Sequence, residues 1–325
     1  MMLFDAGYEG NLTDLAAWAG RVERCGKFAG IWVSDTTNDP FLLSQIAVAA
    51  TQHLDIGTNI AVAFARSPFC VAQTCSNLTA LSGGRFTLGL GTQVRAHITK
   101  RFDATWPGRP VEALCEYVQL LRHLFEKFEK GERPHFKGEH FSCTLTSPVF
   151  TPDRHSFGPP RVGFSAVGPR MTEAAGRIAN SVFLHPFVHR KYLEEVTIPA
   201  LKLGEKQRED GLGKLELVGS CFTLATDAPN HQERLAATLQ RLAFYASTPN
   251  YRKVLDSLNL SDLHQELHQL SRRGEWEKMS RILPQEMIDA CVVIAPRAQL
   301  MDAVRDRWGD VYHRVAIEPS QLLDA

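Results

Sequence analysis

The sequence predicts a (β/α)8 TIM barrel with two insertions, a hairpin near residues 131–145 and a helical lid near residues 241–284. Three observations lead there. The run from Gly57 to Gly91 reads as strand, helix and strand, a βαβ unit in which two parallel strands need a crossover helix. The same alternation returns along the chain until eight strands are counted, which a single domain spanning residues 1–325 is long enough to hold. No Gly-x-Gly-x-x-Gly follows the first strand, as the rival doubly wound sheet would require; the nearest string, Gly89-Leu90-Gly91-Thr92, runs on into Gln93 and Val94.

Each element has a local cause. Leu3 to Ala6 is a short strand, and Asn11 stands as the N-cap of a helix with Leu12, Leu15, Ala16, Ala19 and Val22 on one face. Gly30 to Ser34 is an apolar strand that stops in Asp35-Thr36-Thr37-Asn38-Asp39. Pro40, whose missing N–H is harmless in a first turn, opens the next helix. Asp55 to Ala61 is the third strand. Pro68 opens a helix with Val71, Cys75, Leu78 and Leu81 on one face, and Ser82-Gly83-Gly84 ends it. Phe86 to Leu90 is the fourth strand, followed by a polar loop from Gln93 to Arg109 and a helix from Val111 to about Lys127. After the hairpin and a Pro-rich connection, strands are expected at Arg161 to Ala166, Ser181 to Leu184, Leu215 to Ala225 and Cys291 to Ile294. Helices are expected at Pro169 to Ile178, Lys191 to Leu203 and Arg297 to Trp308, the last closing the barrel. Functional groups of such a barrel gather past the strand C-termini. The polar clusters lie there: Asp35 to Asp39, Asn59 to Arg66, Thr92 to His97, Ser165 to Gly168, and His185.

Composition narrows the partners. Lys+Arg and Asp+Glu both number 36, so the formal charge is zero, which argues against nucleic acid or an anionic membrane as the main ligand. No apolar run approaches the roughly 20 residues of a membrane span, and Met1 to Asp5 lacks the basic region and apolar core of a signal peptide. The expected location is the cytoplasm. The seven cysteines contain no CxxC pair, and Cys25, Cys75 and Cys115 fall on apolar helix faces as reduced core thiols. No metal site is expected. His264 and His268 sit one helical turn apart, but no Glu adjoins the first His as the zinc-protease motif requires, and His135 and His140 have no third ligand in sequence.

The chain resembles the luciferase-like flavin and deazaflavin oxidoreductases, and in particular their F420-dependent branch. The likeness rests on Ser34-Asp35 with Asp39-Pro40-Phe41, Ala63-Phe64-Ala65-Arg66-Ser67-Pro68, Ser82-Gly83-Gly84-Arg85-Phe86, Leu88-Gly89-Leu90-Gly91-Thr92, and Ala175-Gly176-Arg177 with His185-Pro186-Phe187. It implies a TIM barrel, two-electron redox chemistry, a homodimer, and a flavin-like ring across the C-terminal mouth, with Thr92 beside it. It implies a bulge with a non-prolyl cis peptide at Asn59-Ile60 behind that ring. Asp35 corresponds to an acidic residue beside the ring, or else serves as a helix-capping Asp. Ser165-Ala166-Val167-Gly168-Pro169 matches the family's phosphate loop; here Pro169 at a first helical position leaves neighbouring N–H groups free to point at an anion. Arg66, Arg95, Lys100, Arg101 and Arg109 would suit the acidic tail of F420.

Two departures bear on mechanism. The family's histidine after the strand-two acid is Thr36 here, and its carboxylate after the strand-four Gly-Thr is replaced by Gln93 and Val94, which speaks against sugar-phosphate oxidation. His97 and His185, at strand ends and able to titrate near neutral pH, are the replacement acid/base candidates, and Thr36 and Asn38 can position a substrate by hydrogen bonding. The expected reaction is hydride transfer between C5 of F420 and a small organic substrate. The alternatives are an FMN-dependent monooxygenase and a cofactor-binding barrel with little catalysis. Phe244, Tyr245, Tyr251 and Arg252 in the lid are candidate pocket residues.

Overall fold

The computed structural model describes residues 1–323; the last two residues of the expected 1–325 domain, Asp324 and Ala325, lie outside the described residues. Eight parallel strands form a closed ring: β1 (Leu3–Tyr8), β2 (Gly30–Val33), β3 (Asp55–Thr58), β4 (Phe86–Gly91), β5 (Arg161–Ser165), β6 (Ser181–Phe183), β7 (Glu216–Ser220) and β8 (Arg314–Ile317). β8 pairs with β1 on one side and β7 on the other, so no strand edge is left open. β2 and β4 are buried along their whole length, because barrel contents cover one face and helices the other.

The expected barrel stands, with its last strand reassigned. Val292–Ala295 is a strand, but it pairs with Phe222–Ala225 in a separate two-stranded sheet. The single strand expected from Leu215 to Ala225 therefore splits, its first half in the barrel and its second half outside. The eighth barrel strand is Arg314–Ile317, after the helix expected to close the fold. Other differences are local. The polar loop after β4 contains a helix, Arg95–Lys100. Leu81 is exposed, while Val71, Cys75 and Leu78 face the core. The Asn11 side chain bonds to the Asp14 carboxylate (3.3 Å) and caps no backbone N–H. All seven cysteines are free thiols; Cys25 is half-buried, Cys75 and Cys115 are buried.

Inside the barrel, Trp32 of β2, Phe183 of β6, Val218 of β7 and Ala316 of β8 pack into one layer with Ile60 against it. Trp32 and Phe183 meet edge to face at 5.1 Å between ring centres. Space for them comes from glycines: a Cβ on Gly57 would lie 2.6 Å from Trp32 Cε3, and one on Gly163 2.8 Å from Phe183 Cε2. This layer is the floor beneath the C-terminal mouth.

The hairpin pairs Phe136–Lys137 with Ser142–Cys143. The lid lies between Phe222–Ala225 and Val292–Ala295 and begins earlier than expected, with helix His231–Ser247; Arg252–Asp256, Ser261–Arg272, Trp276–Arg281 and Gln285–Cys291 follow. Ion pairs from its first helix, Arg241 to Glu9 (2.5 Å) and Arg234 to Glu318 (2.7 Å), tie it to the chain just past β1 and β8. His264 and His268 donate from Nδ1 to the carbonyls of Ala246 and Ser247, so both pack lid helices together. Among the described residues there is no cluster fit to hold a metal ion and no helix long and apolar enough to cross a membrane.

Candidate active site at the barrel mouth

The ends of β2 and β3 are knitted together by the chain itself. The Asn59–Ile60 peptide is cis, at the position the resemblance marked. Asn59 N–H donates to the Val33 carbonyl (2.7 Å), Ser34 Oγ to the Asn59 carbonyl (2.8 Å), and Asp35 N–H to the Ile60 carbonyl (3.1 Å). The strand then resumes as Ala61–Val62 against β4. Ile60 lies against Gly91 at the end of β4, where a Cβ would come within 2.6 Å of its Cδ1 and 3.0 Å of Ser165 Oγ on β5. Across the barrel, Asn59 Nδ2 reaches Ser220 Oγ on β7 at 3.4 Å.

Asp35 and Asp39 share one cation. Asp35 Oδ2 accepts from Val62 N–H (2.9 Å) and pairs with Arg66 Nη1, while Arg66 Nη2 pairs with Asp39 (2.9 Å). Asp39, through Oδ1, is the helix-capping carboxylate, accepting from Phe41 N–H (2.9 Å) and Leu42 N–H (3.1 Å). Burial works against the Arg66 charge, but the two carboxylates outweigh it and raise its pKa. Asp35 thus braces the segment that follows Ile60.

Opposite, Gly168 caps helix Pro169–Ile178, and its carbonyl accepts from Thr172 N–H and Oγ1 (both 3.0 Å). The Val167 carbonyl accepts from Tyr192 Oη (3.1 Å), fixing the loop from behind. No intramolecular acceptor among the described residues takes the N–H groups of Arg170 and Met171, and a Cβ on Gly168 would meet nothing within 4 Å. A free first turn beside open space suits an anion.

The rim between these walls is polar. Thr92 Oγ1 donates to the Gln93 carbonyl (3.1 Å), and Gln93 takes a left-handed φ of 57° that turns the chain into helix Arg95–Lys100. His97 sits within that helix, exposed, rather than at a strand end. Thr36 is exposed and its carbonyl accepts from Arg101 Nη2 (2.9 Å); Asn38 is half-buried. Arg66 and Arg109 are spent on carboxylates, whereas Arg95, Lys100 and Arg101 have no ion-pair partner among the described residues.

His185 corrects the expectation that it titrates near neutral pH. Its Nδ1 accepts from Phe187 N–H (3.0 Å), and its ring lies 4.3 Å from that of Tyr245 and 4.6 Å from that of Tyr251. Burial among these rings, with the Arg241 charge second, pushes the imidazole down to about 3, so at neutral pH it is uncharged. Tyr245 and Tyr251 thus join the mouth, as does Phe222, 6.2 Å from Tyr245. Phe222 and Glu9 had no distinguishing sequence signal: one reads as a strand residue, the other as a surface acid.

A parallel barrel whose C-terminal mouth carries an apolar wall, an anion-ready helix end and a neighbouring aromatic cluster is a (β/α)8 protein with a ligand site at the usual end of the barrel. The chain belongs to the luciferase-like monooxygenase family, which matches residues 3–313. It is 40% identical over 314 residues to the uncharacterized protein Rv1360 of Mycobacterium tuberculosis, covering 96% of this chain and 91% of that one. It is 29% identical to the F420-dependent glucose-6-phosphate dehydrogenase 2 of Rhodococcus jostii over 184 residues, 55% of this chain and 52% of the relative. In fold it is similar to the coenzyme F420 dependent tetrahydromethanopterin reductase from Methanopyrus kandleri, with a TM-score of 0.77 at 17% identity, covering 98% and 93% of the two chains.

Proposed function

We propose that this protein is an F420-dependent oxidoreductase that moves a hydride between the deazaflavin and a small organic substrate. The observation that carries the reading is the pairing of two unlike walls in one mouth. Ile60, seated against Gly91, gives a flat apolar backing for a ring, and the free N–H groups at Arg170 and Met171 give an anion seat. Both fit a cofactor with a planar ring and a phosphate. The unpaired cations Arg95, Lys100 and Arg101 favour F420 over FMN, since only the former carries an acidic tail long enough to need them.

When bound, F420 supplies a two-electron hydride donor and acceptor carbon. The chain's own residues hold and exclude. Ile60 and the brace from Asp35 to Arg66 fix one face of the mouth, Gly168 lets the backbone approach a phosphate, and the lid keeps water from the substrate. With Thr36 in place of an imidazole and His185 neutral, no charged acid stands at either position. The expected partners are a small organic molecule and a second copy of this chain, the latter checked by light scattering of the purified protein.

The deciding experiment is titration of the purified protein with F420 and separately with FMN, followed by quenching of intrinsic fluorescence. Micromolar or tighter F420 binding with weak FMN binding is the expected result. The reverse preference would replace this reading with that of a flavin monooxygenase, and binding of neither would sink both.

A further inference from the structure

Resting on the oxidoreductase reading above, we propose that His185, Tyr245 and Tyr251 form the substrate-recognition wall, selecting a neutral, flat carbonyl compound through a hydrogen bond from His185 Nε2–H. The tautomer follows from one contact. Because Nδ1 accepts the Phe187 N–H at 3.0 Å, the single proton of the neutral ring sits on Nε2. That atom, and the hydroxyls of Tyr245 and Tyr251, reach no protein partner among the described residues, and none is sealed from solvent. Three unpaired polar tips, each reachable from solvent, therefore stand together among aromatic rings past the end of β6.

The surroundings set the class of ligand. Phe187 stands 5.8 Å from Tyr251, Phe222 6.2 Å and Phe244 5.4 Å from Tyr245, all measured between ring centres. These rings pack on one another, with Phe187 and Phe222 buried and Phe244 exposed, so a planar apolar body would lie against the exposed side of this box by offset or edge-to-face contact. Arg241, the cation whose charge acts on His185, is committed to Glu9 at 2.5 Å, and Arg252, next to Tyr251, faces Asp256, so a carboxylate or phosphate entering the box would be desolvated without a free counter-charge. An imidazole whose Nδ1 is already bonded has no acceptor nitrogen left to take a proton from an alcohol. It can only donate, which suits the carbonyl member of a carbonyl–alcohol pair.

The test uses three naphthalene probes of one shape: 2-acetonaphthone, 2-ethylnaphthalene and 2-naphthoate, titrated into the purified protein and followed by ligand-observed NMR. The ketone is expected to bind about three- to tenfold tighter than the hydrocarbon, the effect of one net hydrogen bond, and naphthoate weakest. In H185F the ketone should fall to the hydrocarbon's affinity, while H185Q, which keeps an N–H donor, should recover part of the difference. Y251F, which alters the box without touching the donor, should keep the ketone preference in part and guards against reading a folding defect as a lost contact. Naphthoate binding as tightly as the ketone, an unchanged preference in H185F, or binding of no probe would each overturn the proposal. Deazaflavin binding is read separately from its own visible fluorescence. A protein that binds the ketone but no F420 would sink the cofactor reading and leave this one standing.

Discussion

Arg314, the first residue of β8, grips Asp5 in the middle of β1 through both Nε (2.9 Å) and Nη2 (2.6 Å), and reaches Asp55 at the start of β3 with Nη1 (2.6 Å). Arg314 and Asp5 are both buried, and the guanidinium lies over the Trp32 ring at 5.6 Å. The last barrel strand is thus joined to the first by a buried bidentate ion pair as well as by its backbone ladder. Replacing Arg314 with Leu leaves Asp5 without a counter-charge and is expected to cost roughly 3–5 kcal/mol, whereas a double replacement of Asp5 and Arg314 by apolar residues should cost less. Urea unfolding of the single and double variants checks this; a single variant no worse than the double would mean that the pair does not hold the barrel closed.

His185 makes stability depend on pH in a stated direction. Its folded pKa of about 3 lies below the unfolded value of roughly 6.5, so between these values the unfolded chain binds a proton that the folded one refuses. Its contribution is fully present above about pH 6.5 and is lost as pH falls, with a slope of up to about 1.4 kcal/mol per pH unit. H185Q should flatten the stability profile between about pH 6 and pH 4 by close to one proton, read from unfolding curves at several pH values. His189, also pulled down by burial, acts in the same sense and is left untouched by that substitution. An unchanged slope would show that His185 is not held neutral.

Gly91 and Ile60 share one space. Alanine at position 91 would drive its methyl into Ile60 Cδ1 and push that side chain off the wall, an overpacking cost of about 1–3 kcal/mol. F420 binding should weaken roughly tenfold in G91A, and trimming Ile60 to Val in the same chain should restore part of it. Equal cofactor affinity in wild type and G91A would remove Ile60 from the ring-backing role.

Much of the fold is legible because parallel barrel strands are locally distinct. β2 and β4 are apolar runs, and Pro40, Pro68 and Pro169 mark helix starts by the same missing N–H. The eighth strand is not legible in this way. Arg314-Val315-Ala316-Ile317 opens with a cation, while Val292-Val293-Ile294-Ala295 is the more apolar run and reads as the better core strand. The site shows the same division. Pro169 after Gly168 signals an anion seat from sequence, but nothing near Asp35 says that its partner is Arg66, 31 residues on.

The βα rhythm, the family likeness and the polar strand ends are therefore legible in the chain, because all of them depend on neighbours a few residues apart. Which strand closes the ring, which carboxylate caps and which braces, and the hydrogen bond that occupies His185 Nδ1 are set by packing across the fold. Those outcomes turn on desolvation and on partners as distant as Asp5 and Arg314, 309 residues apart, and a buried charge or imidazole takes its state from whatever the fold places against it.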